Sequence, residues 1–307
     1  MAINGVLRPG FMQIRVMEME KALWHYRDIL GLDVVGTGED GRVYLKAYDE
    51  FHRHSIILRE TDVPGMDVMG FKVSSDAYLD ESAEKLKNYD CKTEWVEAGE
   101  QPGVGRRLRV HLPSGHLFDF YADMELSDNG PMTENPDVFK DMPRACGVIR
   151  FDHALLYGVN VMENFKILNE VFDFELAEVQ NDPEGKPLVI FLSISNKAHD
   201  VAFAEHEEPG KLHHCSFLLE DWNAVGHAAD IMTRFDIPVD IGPTRHGITR
   251  GRTIYFWDPS GNRNEVFAGG YHYYPDLPQR TWDFDNVGKA IFYYEKKLND
   301  TFLPVVT

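Results

Sequence analysis

Apolar and polar residues along this chain alternate in two periods that take turns. Residues 11 to 16, Phe11-Met12-Gln13-Ile14-Arg15-Val16, read as an extended run, as do 42 to 47 and 54 to 59, where apolar character coincides with a period of two. Between them Ala22, Leu23, Tyr26 and Ile29 recur at helical spacing and predict one amphipathic helix over Met19 to Ile29. A second unit opens at Gly70, runs through a charged helix from Ala77 to Asn88, and closes with strands near 93 to 97, 106 to 112 and 117 to 121. The later part repeats this order, with helices near 161 to 170 and 221 to 234. Its strands are expected near 151 to 157, 174 to 180, 188 to 194, 199 to 204, 213 to 219, 252 to 257 and 263 to 268. The pattern predicts an α+β fold of four βαβββ modules, two in each of two domains, over residues 1–123 and 147–270. Segment 124–146, with Asp128-Asn129-Gly130-Pro131, Pro136 and Pro143, has no periodicity and reads as the linker. Residues 271–307 form an extension in which a helix is expected near 286 to 298, marked by Gly288, Ala290, Ile291 and Tyr294.

The two domains also share sequence. Pro113-Ser114-Gly115-His116-Leu117-Phe118-Asp119 has its counterpart 146 residues on, in Pro259-Ser260-Gly261-Asn262-Arg263-Asn264-Glu265. Val68 to Val73 matches His214 to Leu219 at the same offset, and Phe11 to Val16 has a degenerate partner in Phe151 to Leu156. Aligned this way, Gln13, Val68 and Asp119 stand where His153, His214 and Glu265 stand later. Gln13 and Val68 are poor metal ligands, so the first domain is expected to be a non-catalytic support and the second to carry the chemistry.

Composition narrows the classes. A chain of 307 residues, 43% hydrophobic and 26% charged, has the length and apolar content for two cores. A formal charge of -19 repels nucleic acid and anionic membranes, and no long Lys/Arg cluster offsets it. The first ten residues lack an apolar stretch long enough for a signal peptide, and no apolar run approaches twenty residues, which predicts a cytoplasmic protein without membrane spans. Cys91, Cys146 and Cys215 are too few and too scattered for a disulfide framework or a thiolate metal cluster. No phosphate-cradling glycine loop, nucleophile elbow or dinucleotide fingerprint appears, so no organic cofactor is expected.

Pro259 and Gly261 permit a tight reversal, after which strand alternation puts Arg263, Glu265 and Phe267 on one face. His153 shares its face with Phe151 and Leu155, and His214 shares its face with Ser216. Either histidine alone fits an ordinary packed core residue; both together, beside a carboxylate at repeat-related positions, predict a metal site. Two imidazoles and one carboxylate with no thiolate suit a divalent metal with open positions, above all the facial triad of non-haem Fe(II) oxygenases. Zinc or manganese satisfies the same atoms, so the triad names a class of site and leaves the reaction open.

Further motifs carry a family likeness. Phe151-Asp152-His153-Ala154-Leu155, Lys211 to Phe217, Gly242 to Gly247, and Tyr255 to Glu265 together resemble the extradiol ring-cleaving dioxygenases of the vicinal oxygen chelate superfamily. The resemblance to the catechol 2,3-dioxygenases runs end to end, from Gly5-Val6-Leu7-Arg8-Pro9-Gly10 to Gly288-Lys289-Ala290-Ile291-Phe292-Tyr293-Tyr294. It implies His153, His214 and Glu265 as ligands of Fe(II), and His199 as an acid–base histidine on the oxygen side. It further implies His246 and Tyr255 as groups that hydrogen-bond to Glu265 or to the bound diol, with catechol and O2 as substrates and a homotetramer as the assembly. Cleavage beside the diol then gives 2-hydroxymuconate semialdehyde. Leu155, Phe191, Ile248, Thr249, Ile291 and Phe302 are the residues implied around the ring, and the last two would close the pocket from the extension.

Two other readings fit the same modules. A glyoxalase-like isomerase or an epimerase would want a more carboxylate-rich or domain-shared site. A binding protein that sequesters a small aromatic or a metal would need neither His199 nor Tyr255 beside the metal. His52-Arg53-His54 is expected to begin a strand, and Tyr271-His272-Tyr273-Tyr274 to form a packed aromatic loop.

Overall fold

The computed structural model describes residues 4–304 and 307 and resolves the chain into two mixed sheets. The first contains β1 (Val6–Val16), β2 (Asp33–Thr37), β3 (Val43–Lys46), β4 (Ile56–Glu60), β5 (Gly65–Val73), β6 (Thr93–Val96), β7 (Arg107–His111) and β8 (Leu117–Tyr121). Its spatial order is β2-β3-β4-β1-β5-β8-β7-β6. The second contains β9 (Arg150–Gly158), β10 (Glu175–Asn181), β11 (Pro187–Ser193), β12 (Val201–Glu205), β13 (Lys211–Leu218), β14 (Val239–Arg245), β15 (Gly251–Trp257), β16 (Arg263–Gly269) and β17 (Arg280–Trp282). Its order is β14-β15-β16-β13-β9-β12-β11-β10-β17.

Each sheet is two βαβββ modules joined edge to edge, with β17 added beside β10 at the end of the second. Within every module the first strand runs parallel to the fourth: β1 with β4, β5 with β8, β9 with β12, and β13 with β16. The modules meet through the antiparallel pairs β1–β5 and β9–β13. The crossover helices are α1 (Met19–Leu23), α2 (Asp76–Leu86), α3 (Val161–Phe172) and α4 (Trp222–Arg234). Ser75 caps α2 and Asp221 caps α4, each accepting a backbone N–H three residues on. The helix predicted over Met19 to Ile29 runs on from α1 as a π-helical turn, Trp24–Ile29. That widening accompanies buried contacts from His25 to Asn264 Oδ1 (2.8 Å) and from the Tyr26 hydroxyl to Asp258 Oδ2 (3.1 Å).

The sheets share a core. Phe120 stacks on Phe172 with ring centroids 3.7 Å apart, Phe71 meets Phe174 at 5.3 Å, and Phe118 meets Phe203 at 5.9 Å. These rings are completely buried, and truncating one to alanine costs about 3–5 kcal/mol. Asn262 Nδ2 donates to the Arg15 carbonyl (2.9 Å) and Met17 N to Ser260 Oγ (2.9 Å), so the Pro-Ser-Gly turn of the second half also pins the halves together.

Three sequence expectations change. Strands β2, β14 and β17 had no forecast: β2 is a short run broken by Gly36, Gly242-Pro243 interrupts the period of β14, and β17 has only three residues. The terminal helix is short. A 3-10 turn (Phe284–Asn286) leads into α5 (Val287–Ile291), and the chain then leaves the helix because Tyr293 N donates to the Arg245 carbonyl. Lys296, at φ 56°, turns back so closely that a side chain at Gly288 would lie 2.5 Å from the Lys296 carbonyl oxygen. Finally, the register places Phe11, not Gln13, at the counterpart of His153. Phe11 stands opposite Gly70 as His153 stands opposite Ser216, and Met12 opposite Ile56 as Ala154 opposite Val201. The degenerate match between the two opening strands had slipped by two residues, which period-two alternation cannot reveal. Between Tyr121 and Arg150 there is no helix or strand, only bridges from Met124 to Val104 and from Leu126 to His52.

Candidate metal centre

His153, His214 and Glu265 meet on three adjacent strands in the middle of the second sheet. His153 on β9 faces Ser216 on β13, and Ser216 faces Glu265 on β16. His214 precedes Ser216 by two residues, so alternation puts it on the same face as this row. All three are buried, and their ligand atoms lie within 4.8 Å of one another. His153 Nε2 is 3.1 Å and His214 Nε2 is 3.5 Å from Glu265 Oε2.

The surroundings fit a divalent cation. His214 Nε2 is buried with no hydrogen-bond partner, a costly state for a ring nitrogen unless a cation takes its lone pair. The other ring nitrogen of each histidine is engaged, as metal-binding imidazoles require. His153 Nδ1 lies 2.9 Å from Asp152 Oδ2, and His214 Nδ1 lies 2.7 Å from His213 Nδ1. For His214 to ligate through Nε2, its Nδ1–H must donate to His213. His213 must then carry its own proton on Nε2, where the Phe302 carbonyl oxygen waits at 2.8 Å. Arg263 Nη1 also approaches His213 Nε2 (2.7 Å), and a guanidinium can only donate. In the metal-ready arrangement that donor serves the Phe302 carbonyl, 3.1 Å away. Glu265 is fixed on both oxygens, accepting from Thr253 Oγ1 on Oε1 and from Ser216 Oγ on Oε2, each at 2.5 Å.

Burial would push Glu265 up, but the hydrogen bond and charge of His153 outweigh it and hold the carboxyl well below its usual range. Burial acts against charge on His153 too, yet Asp152 and Glu265 override it and raise this imidazole. A dication between these groups feels the same negative field. Asp152 likewise stays ionised despite burial because of Lys197, His153 and Arg150. His213, His214 and His199 are pushed down by burial and remain neutral.

The triad opens on a cavity of about 370 Å3. Leu155, Phe191, Ile248, Thr249, Ile291 and Phe302 all line it, as do His199, His246 and Tyr255. The ring of His199 lies 4.1 Å from that of His153 and 5.2 Å from that of Phe191. His246 bonds through Nδ1 to the Ile291 carbonyl oxygen, which leaves Nε2 to accept the Tyr255 hydroxyl proton at 2.9 Å. His246 Nε2 is also 3.5 Å from Glu265 Oε1. Every site residue expected from sequence is thus brought to one place. Sequence reasoning missed Asp152, His213, Thr253 and Lys197, whose Nζ bridges Asp152 and Asp200 and ties the His199 loop to β9. Adjacency to a ligand was the available signal for Asp152 and His213; Thr253 and Lys197 had none.

Paired βαβββ modules around an open two-histidine, one-carboxylate site are the frame of a mononuclear metal enzyme, not of a closed structural metal site. Comparison narrows the class. Residues 66–125 match the catechol 2,3-dioxygenase-like N-terminal domain, and residues 150–266 match the glyoxalase/bleomycin resistance protein/dioxygenase superfamily. The chain is 50% identical over 305 residues to a metapyrocatechase of Pseudomonas sp. (strain CF600), covering 99% of each. It is 28% identical to a manganese-dependent 2,3-dihydroxybiphenyl 1,2-dioxygenase of Geobacillus genomosp. 3, over 93% of this chain and 92% of that one. The crystal structure of a 2,3-dioxygenase from Pseudomonas sp. KL28 superposes with a TM-score of 0.90 at 48% identity, covering 93% of this chain and 100% of that one. The chain belongs to the type I extradiol dioxygenase family of the vicinal oxygen chelate superfamily, the Fe(II)-dependent enzymes that open catechol-type rings. No helix among the described residues is long and apolar enough to cross a membrane.

Proposed function

We propose that the substrate is catechol itself, together with catechols bearing small alkyl groups, cleaved beside the diol to 2-hydroxymuconate semialdehyde. The observation that carries this reading is the joining of the buried triad to a small cavity with an apolar wall of Leu155, Phe191, Ile248, Ile291 and Phe302. Charge supports it as well. The cations on that cavity, Arg150 and Lys197, are both paired with Asp152, so no free counter-ion is offered to an anionic ring substituent.

His153, His214 and Glu265 would hold ferrous iron, which would supply Lewis acidity toward the diol and a redox-active centre for O2. The other roles belong to side chains. His199 is neutral and at the cavity wall, so it can take a proton as the diol enters and return one to oxygen as the ring opens. Tyr255 keeps its hydroxyl proton, because burial and Glu265 oppose ionisation; that single proton, directed at His246 at rest, can turn to a developing oxyanion once the diol is bound. His246 orients that hydroxyl and is itself fixed by the Ile291 carbonyl. The same reading includes a division into domains 1–123 and 147–270 with linker 124–146 and extension 271–307, a homotetramer, and residence in the cytoplasm.

The test is anaerobic loading with Fe(II), then addition of catechol and isotopically labelled O2. A yellow semialdehyde carrying both atoms of one O2 supports the assignment. Metal-dependent catechol binding with no oxygen uptake would sink it in favour of a sequestering protein. Replacing His199 by Phe separates the two cases, since a sequestering protein keeps its binding and has no turnover to lose.

A further inference from the structure

One wall of the cavity is made by the loop after β14 and the segment after β16, through Ile248, Thr249, Gly270 and Tyr271. Thr249 and Arg250 both sit in the left-handed region, at φ 53° and 63°. A β-branched threonine avoids that conformation, so the surrounding structure must hold the loop in place.

What holds it is one carboxylate behind the wall. Glu178, completely buried in β10, accepts from Thr249 N (2.9 Å) and the Tyr271 hydroxyl (3.2 Å) on Oε2. Its Oε1 accepts from Trp282 Nε1 (2.7 Å) and lies 3.5 Å from Arg280 Nε. Glu178 is also opposite Arg280 in the parallel pairing of β10 with β17. The partners reinforce each other: Tyr271 N donates to the Thr249 carbonyl (3.1 Å), and Gly247 N and Ile248 N donate to the Ala290 carbonyl (2.9 and 2.8 Å). Three donors from three separate chain segments, with the Arg280 guanidinium beside them, converge on a residue that does not itself line the cavity. A carboxylate suits this position because it only accepts; a glutamine would turn an NH2 group toward N–H or O–H donors on one side.

We propose that Glu178 is a positioning residue that sets substrate specificity, fixing the Thr249–Tyr271 wall at the width of a ring with small substituents. This rests on the catechol reading above. The test compares Glu178→Gln with the parent protein, in two measurements.

Hydrogen exchange on the metal-free proteins reads the clamp directly. The variant should lose protection at residues 246–251. Steady-state kinetics on the iron-loaded proteins reads its consequence. KM for catechol should rise about tenfold while kcat stays within about threefold, and kcat/KM for a bulky 4-alkylcatechol should rise relative to catechol. A loss of stability alone would move neither the KM-to-kcat split nor the size preference. Should Glu178→Gln fail to fold, Trp282→Phe removes one donor outside the cavity and should shift the same quantities the same way by about two- to threefold. A folded variant with parental protection, or with lost protection but parental KM and size preference, overturns the proposal. A parent that does not turn over catechol defeats the functional reading alone, because the exchange result still decides whether Glu178 holds the wall.

Discussion

The two sheets are built to one plan and differ in what neutralises one carboxylate. In the first, the row across β1, β5 and β8 is Phe11, Gly70, Asp119; in the second, the row across β9, β13 and β16 is His153, Ser216, Glu265. Tyr44 and His54 stand side by side near Phe11, with ring centroids 4.8 Å apart, just as Phe191 and His199 do near His153 at 5.2 Å. Asp119 is completely buried, accepting from Arg107 Nε at 2.9 Å and Arg109 Nε at 2.7 Å. Those arginines occupy the ladder positions of Thr253 and Tyr255, which are uncharged. A carboxylate already neutralised by two guanidinium groups has no field left for a dication. Glu265 has hydroxyls and imidazoles around it and keeps its field. The fold brings a carboxylate to this point twice; the neighbouring strand decides whether its partner is covalent to the chain or bound from solution.

The contrast breaks most sharply when each carboxylate is removed. Glu265→Ala should fold, retain no iron and lose turnover by more than about a thousandfold. Asp119→Ala should leave iron stoichiometry intact in the protein that folds, yet lower stability by about 3 kcal/mol or more, because Arg107 stays buried with a weakened counter-charge. Metal analysis beside denaturant unfolding checks both. His199→Phe should preserve anaerobic catechol binding and reduce turnover by about a hundredfold or more, whereas the corresponding His54→Phe should leave turnover unchanged. His213→Leu should weaken metal binding to the apoprotein by about ten- to a hundredfold, measured by titration calorimetry. His213→Gln should recover most of that loss, since an amide accepts from His214 and donates to Phe302 at once. The last contrast concerns pH. Burial lowers His54 and His116 to about 4, from 6.5. Neutral in the folded state and readily protonated in the unfolded one, they give stability that is complete above about pH 6.5 and lost as pH falls toward 4, up to about 3 kcal/mol each. Urea unfolding at pH 7 and pH 5 should show the loss, and His54→Phe should flatten part of it.

Most of the architecture was legible because strand and helix periods alternate cleanly and the Pro-Ser-Gly turn recurs. The triad was legible because each half shows what the other lacks. What escaped depended on register and on contacts distant in sequence. The identity of Phe11 as the counterpart of His153 needed the pairing of β1 with both neighbours. Glu178 could not be found, since its donors come from residues 249, 271 and 282 and nothing local marks a glutamate that gathers them. The over-long terminal helix came from reading Tyr294 as helical when Tyr293 is committed to the Arg245 carbonyl.

The three metal ligands are shared between modules: His153 belongs to the third, while His214 and Glu265 belong to the fourth, across the β9–β13 seam. Neither module carries a ligand set of its own. During synthesis His153 leaves the ribosome long before Glu265, and no nascent chain shorter than residue 265 contains all three donors. Metal selection is therefore deferred until the last module has docked, when the cavity and its neighbours are already in place to judge which ion may stay.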